Sequence, residues 1–351
     1  MNLKELSATL GLSQTTVSRA LNGYPEVAEK TRLRVQQAAA ANNYRPNVRA
    51  KGLATGRAMA VGHVIPVSAQ HEIVNPVFAD FIAGAGEAYL KHGYDMVISV
   101  VRDAEEETAY REIASKGSVD GIIVHGPRVA DPRIGLLQGL GLPFVVHGRS
   151  TDETSPYDWV DVNNRRAFQR ATEFLTDLGH DRIALINGLD RMDFARRRLD
   201  GYCSSLEARG IAVDPALIRS DEMTESYGYQ SARDMLSADR APTAFLCASI
   251  IAAIGVRRAV EEAGLQLGRD ISVITHDDEL SYLGNGGDVP TFTATRSSVR
   301  HAGLLCAERL IDLIRDPVQP ATHTLLEADL TVGRSTGPAP HLIHHRAHAT
   351  R

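Results

Sequence analysis

A chain of 351 residues, 43% apolar and 23% charged, is long enough for two or three domains and has the make-up of an ordinary globular protein. No apolar run approaches the roughly 18–20 residues of a membrane span, and the amino terminus lacks a charged-then-apolar leader, which predicts a cytoplasmic protein. The net charge of −5 hides an asymmetry: residues 1–57 hold nine Lys/Arg against three Asp/Glu, and the rest hold 29 against 40, so a basic head precedes an acidic body, as in a nucleic-acid-binding module joined to another domain.

The head opens with Asn2 and Glu5, spaced as a capping box, followed by Leu3, Leu6 and Leu10 on one helical face. Gly11 is placed to end that helix in the left-handed region. Ser13 then caps a second helix with Val17, Ala20 and Leu21 facing inward, which Asn22 and Gly23 stop. Two short helices joined by a tight glycine turn predict a helix-turn-helix, and a third helix from Glu29 to about Asn42 completes a small core. On the outer face of the second helix, Gln14, Thr15 and Arg19 are shaped to read base edges, Gln matching adenine and Arg matching guanine. Thr16, Ser18, Asn22, Thr31 and Tyr44 are suited to phosphate contacts, which fix register.

From residue 58 the texture changes to alternating strands and helices. Apolar runs at 61–66, 96–101, 121–124, 144–146, 183–186, 245–247 and 271–274 predict buried parallel strands. Helical stretches at 79–91, 165–178, 199–209 and 251–263 lie among them. Such alternation predicts doubly wound α/β sheets with ligands at the carboxyl ends of strands. Cys203, Cys247 and Cys306 have neither metal nor disulfide spacing and are expected as small buried hydrophobes. No cofactor or metal site is expected; the tail beyond residue 335, with His344 and His345, is expected as a disordered end. There is no G-x-S-x-G elbow, P-loop or H-E-x-x-H, and the glycines at 284–287 open no helix, so an enzyme is not expected.

The stretches LGLSQTTVSRALNG, VAEKTRLRV and NNYRPNVRAKGLATGR resemble the head of the LacI/GalR (lactose/galactose repressor) family of transcriptional regulators. Ser13, Thr16, Val17, Ser18, Arg19, Asn22, Thr31, Arg32, Tyr44, Pro46, Asn47, Ala50 and Leu53 keep that family's spacing. The resemblance continues to about Ser335 through Asn75–Pro76–Val77–Phe78, Asp120–Gly121–Ile122, Gly179–His180–Asp181–Arg182, Arg198–Leu199–Asp200–Gly201–Tyr202 and Asp270–Ile271–Ser272. It implies a helix-turn-helix domain over 1–45, a hinge and linker over 46–57, and a type I periplasmic-binding-protein-like effector-binding and dimerisation domain over 58–335, two α/β subdomains joined by three crossovers. It also implies that 46–54 folds as a hinge helix only on operator DNA. There Leu53 would wedge into the minor groove, with Asn47, Arg49, Ala50 and Lys51 lining it. Ala28 departs from the family's usual Ser or Thr cap.

The same resemblance assigns an effector cleft. Phe78 would stack on a sugar face, and Arg102, His125 and His147 would follow strand ends. Asp193 and Phe194 would precede Arg198, the arginine that clamps ligand hydroxyls or a carboxylate, and Asp277 would accept from sugar hydroxyls. Ser249 stands where many members have Asn, and Ile250 where they have Asp, which weakens one wall. The expected protein is a repressor of a sugar uptake or catabolism operon, with a body similar to α-glucoside-type regulators. It would bind pseudopalindromic operator DNA as a homodimer, or as a tetramer built without a C-terminal leucine-heptad coil. The alternatives are a nucleoside- or purine-responsive member of the family and a non-regulatory sugar-binding protein, the latter needing a signal peptide and no basic head.

Overall fold

The computed structural model describes residues 1–21, 23–44, 56–66 and 75–340. The expected hinge contacts Asn47, Arg49, Ala50, Lys51 and Leu53, together with Asn22 and the histidines of the tail, lie outside these residues. The chain divides into two compact units: a head of Met1–Met59 with Gly117–Asp120, and a body of the remainder.

In the head, α1 (Leu3–Leu10), α2 (Gln14–Leu21) and α3 (Glu29–Ala41) surround a core of Leu6, Leu10, Val17, Ala20, Val27, Val35 and Ala39. The capping box forms: Glu5 N–H donates to Asn2 Oδ1 at 2.9 Å and Asn2 N–H to Glu5 Oε2 at 3.0 Å. Such a cap stabilises a helix by about 1 kcal/mol. Gly11 ends α1 at φ 66°, a conformation that costs a residue with a Cβ. Ser13 caps α2 through the Thr16 N–H at 3.0 Å. Ala28, as its departure from the usual cap implies, gives α3 no side-chain cap.

The body runs β1 (Ala60–Pro66), α4 (Pro76–His92), β2 (Asp95–Val101), α5 (Glu106–Lys116), β3 (Gly121–His125), α6 (Pro132–Leu140), β4 (Phe144–His147) and β5 (Asp158–Val162). It continues with α7 (Asn164–Asp177), β6 (Ile183–Asn187), α8 (Asp193–Ala208), β7 (Ile218–Ser220), α9 (Glu225–Leu236), β8 (Ala244–Cys247) and α10 (Ile250–Glu262). It closes with β9 (Ser272–Asp277), β10 (Thr293–Arg296), α11 (Val299–Arg315), β11 (His323–Leu326) and β12 (Asp329–Thr331). Two six-stranded sheets result, ordered β11-β5-β4-β3-β1-β2 in the N-lobe and β12-β10-β9-β8-β6-β7 in the C-lobe. Every pairing is parallel except β10 with β12.

The chain crosses between lobes three times: from β5 to α7, from β10 to α11, and from β11 to β12. α7 buries Phe168, Ala171 and Leu175 against Ile183, Leu185 and Leu246 of the C-lobe. α11 instead packs on α4 of the N-lobe, and glycines allow the close approach. A Cβ at Gly84 would fall 1.8 Å from the Arg300 carbonyl oxygen, and one at Gly303 would fall 2.1 Å from that of Phe81.

Two expectations change. The 96–101 run is not buried: β2 is an edge strand, and Met96, Ile98 and Val100 are 38, 45 and 53% exposed. Order also extends past residue 335. Gly337 N–H donates to Ser272 Oγ at 3.0 Å, Ala339 N–H donates to the Leu178 carbonyl at 2.9 Å, and Ala339 is fully buried. The last described segment is therefore part of the C-lobe, and residues 336–340 are not the disordered end expected of them. Cys247 and Cys306 are buried as expected, and Cys203 is half-buried against the C-lobe core. No described helix is long and apolar enough to cross a membrane.

Candidate functional site

Two sites emerge, one in each unit. In the head, burial of Val17 and Ala20 turns the other side of α2 outward, and Gln14, Thr15 and Arg19 are exposed. Ser13, Thr15, Thr16, Arg19 and Thr31 line one notch together with Glu26, Val27 and Ala28. Ser13 and Thr16 also hold each other, Oγ to Oγ1, at 2.8 Å. Ser18 and Tyr44 are half-buried, Tyr44 against the head core.

In the body, strand ends and the first crossover bring a polar cluster together between the lobes. Arg198 lies at its centre on α8, 6% exposed. Its Nε donates to Asn164 Oδ1 at 2.8 Å and its Nη1 to the Ala248 carbonyl at 2.6 Å. The rings of Phe194 and Phe168 lie 4.8 and 5.1 Å from its guanidinium carbon. Nη2 makes no hydrogen bond among the described residues. Burial draws the Arg198 pKa down to about 10, against the pull of Asp278 and Asp161, so the cation persists at neutral pH.

Asp278 is the stronger in effect of these two carboxylates, and the expected Asp277 is not among them. Burial alone would raise the Asp278 pKa, but His276, 3.5 Å away, and then Arg198 outweigh it and hold the group below the usual range. Asp277 turns elsewhere: Oδ1 accepts the Glu279 N–H at 2.9 Å and Oδ2 lies 3.4 Å from Arg296 Nε. At the base of the cleft Arg149 Nε donates to Asp161 Oδ2 at 2.8 Å. Burial still outweighs Arg149 and Arg197, leaving Asp161 at about 6.

The N-lobe wall is aromatic. The Phe78 and Phe81 rings meet His125 edge-on at 5.2 and 4.8 Å, and Phe81 lies 4.4 Å from the ring of His147. Burial pulls His147 down to about 4 and holds His125 well below its ordinary value, so both are neutral at pH 7.

Three expected contacts serve other purposes. Arg102 is 83% exposed and pairs with Glu105 at 3.5 Å, because the edge position of β2 turns it toward solvent. The Ser249 hydroxyl caps α10 by accepting the Ile251 N–H at 3.2 Å. Asp193, 1% exposed, joins the lobes: Oδ2 accepts the Thr151 N–H at 2.7 Å and its hydroxyl at 2.5 Å, and Oδ1 accepts Arg197 Nε. A second latch lies in Asp80, which accepts the Ser281 N–H at 2.8 Å and hydroxyl at 2.6 Å. Sequence reasoning passed over Asp278, Asp161, Asn164 and Asp80. Only Asp278 carried a signal, as the second member of an Asp pair at a strand end. Among the described residues no group of His, Cys, Asp and Glu has the geometry to hold a metal.

Comparison with known proteins gives this architecture relatives. Residues 2–47 match the family described as bacterial regulatory proteins, lacI family, and residues 172–336 match a periplasmic binding protein-like domain. The HTH-type transcriptional regulator AglR of Rhizobium meliloti (strain 1021) is 44% identical over 340 residues, covering 97% of this chain and 95% of that protein. The lac repressor dimer bound to operator and the anti-inducer ONPF superposes with a TM-score of 0.82 at 26% identity, covering 96% of this chain and 99% of that one. A transcriptional regulator CelR–cellobiose complex superposes with a TM-score of 0.71 at 26% identity, over 95% and 99%.

Proposed function

Because this chain belongs to the lacI family of bacterial regulatory proteins, we propose that it represses an operon for sugar uptake or catabolism, and that an uncharged sugar of the α-glucoside class held between its lobes sets its grip on the operator. As a member of that family it is a DNA-binding regulator and not an enzyme. The charge balance of the cleft carries the choice of ligand. Arg149, Arg197 and Arg198 are matched by Asp161, Asp193 and Asp278, and the histidines of the wall are neutral. A sugar acid or sugar phosphate would bring a buried charge with no spare cation to receive it, which costs several kcal/mol. Phe78 and Phe194 offer apolar faces for a pyranose ring, and the CelR complex holds a neutral disaccharide in the same fold.

On DNA, Gln14, Thr15 and Arg19 read bases while Ser13, Thr16, Ser18, Asn22, Thr31 and Tyr44 fix register on phosphates. Asn47, Arg49, Ala50, Lys51 and Leu53 serve the minor groove at the operator's centre. The operator is pseudopalindromic and the protein a homodimer. The exposed apolar stripe of β2 and the 96% exposed Tyr282 supply surface for that pairing.

A thermal-shift screen tests the ligand. Maltose, sucrose and trehalose are set against glucuronate, glucose 6-phosphate and adenosine, with a saturating ligand at 100 times its Kd adding about 2.7 kcal/mol. Stabilisation by a neutral disaccharide is the expected result. A shift given by adenosine alone would transfer the protein to the nucleoside-responsive class, and one given only by the charged sugars would overturn the charge argument.

A further inference from the structure

Three polar side chains are strung through the N-lobe interior. Tyr89 Oη lies 2.9 Å from His63 Nε2, and His63 Nδ1 lies 2.9 Å from His125 Nε2. Tyr89 on α4 is 3% exposed and His63 on β1 is fully buried. Neither belongs to the cluster described above, and an apolar pair would fill the same space without a hydrogen-bonding demand.

Counting protons fixes the direction of each bond. Burial, with a smaller push from Cys306, raises the Tyr89 pKa, so the phenol keeps its proton. A buried hydroxyl proton left undonated costs about 1–3 kcal/mol. Its one acceptor among the described residues is His63 Nε2. Burial drops His63 to about 3, so it is neutral and carries one proton. With Nε2 accepting, that proton sits on Nδ1 and is donated to His125 Nε2. His125 is neutral as well, chiefly through burial, so its own proton sits on Nδ1.

His125 Nδ1 makes no hydrogen bond among the described residues, and the residue is 8% exposed. The residue ends β3 at the cleft, with its ring against Phe78 at 5.2 Å and 6.2 Å from that of His147. We propose that Tyr89 and His63 are positioning residues that lock His125 in its Nδ1–H tautomer, presenting the bound sugar with a fixed hydrogen-bond donor; the identity of the ligand as a sugar rests on the preceding section. A free imidazole presents a donor or an acceptor by tautomer exchange, and the relay removes that choice. A fixed donor satisfies a ring or glycosidic oxygen, which accepts but cannot donate, and orients a sugar hydroxyl at this wall as an acceptor.

The test reads the tautomer first, without any ligand. In the full chain labelled with 15N-histidine, the His125 signals, assigned by their loss in His125→Gln, are expected to show Nδ1 protonated and Nε2 bare. Protonation on Nε2 would overturn the proposal. Tyr89→Phe removes the proton that sets the polarity, and His125 is then expected to populate both tautomers. Affinity for the best binder among maltose, sucrose and trehalose should fall by the reciprocal of the fraction of His125 left in the Nδ1–H tautomer, about twofold for an equal mixture. Unchanged affinity with a mixed tautomer would also overturn it. If the wild type binds none of the three sugars, the sugar assignment fails, and the tautomer measurement still decides the relay. The wild-type spectrum needs no variant to fold.

Discussion

Asp277 and Asp278 are neighbours in the chain and face different partners. Asp277 holds Arg296 and the Glu279 N–H, which fixes the turn after β9. Asp278 stands in the field of Arg198 and beside His276. Removing each should therefore have a different consequence. Asp278→Asn is expected to weaken disaccharide binding at least tenfold, since hydrogen bonds to a charged group are worth about 1.5–3 kcal/mol, with little change in Tm. Asp277→Ala is expected to lower Tm, because a buried partner of Arg296 is lost, while the sugar still binds. Calorimetry and thermal melts on both variants decide this, and the opposite pattern would return the ligand role to Asp277. The sequence could not separate the two, since both are acidic residues at a strand end. What separates them is the direction of each side chain, set by the strand's last residues and by Arg296 arriving from β10.

At the scale of elements, what the chain spells out depends on how much of each element is apolar. Among the strands buried on both faces, β3, β6 and β8 are nearly continuous apolar runs, and β9 was legible only from Ile271, Val273 and Ile274 at its start; all four were placed to within three residues at either end. β10 (TATR) and β12 (DLT) are short and polar, and β5 (DWVDV) is short with its apolar residues broken by Asp158 and Asp161, so none of the three forms an apolar run. They lie where the chain crosses between lobes, and Asp161 and Asn164 sit at the first of those crossings, so the missed elements and the missed cleft residues share one cause. α8 is the converse case. Asp193, Phe194 and Arg198 were all expected at the ligand, yet only Phe194 and Arg198 face the cluster, while Asp193 ties the helix to the N-lobe through Thr151. Asp193→Ala leaves Arg197 and the Thr151 N–H unmatched. It should cost about 3 kcal/mol and widen the cleft, read as a lower Tm together with a larger radius of gyration in small-angle scattering. A variant with wild-type dimensions would mean that the Asp80–Ser281 latch alone holds the lobes.

For the whole molecule, the proposed pairing of two bodies rests on the edge strand β2. Met96, Ile98 and Val100 alternate along it and so share one face, and a charge there would be buried in any pairing of two bodies. Ile98→Asp is expected to yield a monomer by light scattering and to lose the affinity that comes from occupying two half-sites. A dimer that survives it would move the interface off this strand. The three crossovers have a separate consequence for synthesis. The head's core is drawn from residues 6–39 alone. The N-lobe sheet, by contrast, begins at Ala60 and takes its last strand from His323–Leu326, with the C-lobe's last strand following at Asp329–Thr331. At about 5–20 residues per second, a ribosome leaves on the order of tens of seconds between the first strand of that sheet and the last. From its own synthesis until β11 follows, β5 is an open edge able to pair with another nascent chain. A messenger cut short before residue 323 would therefore yield lobes that cannot close, and its product would be cleared or aggregate before it could act as a regulator blind to sugar.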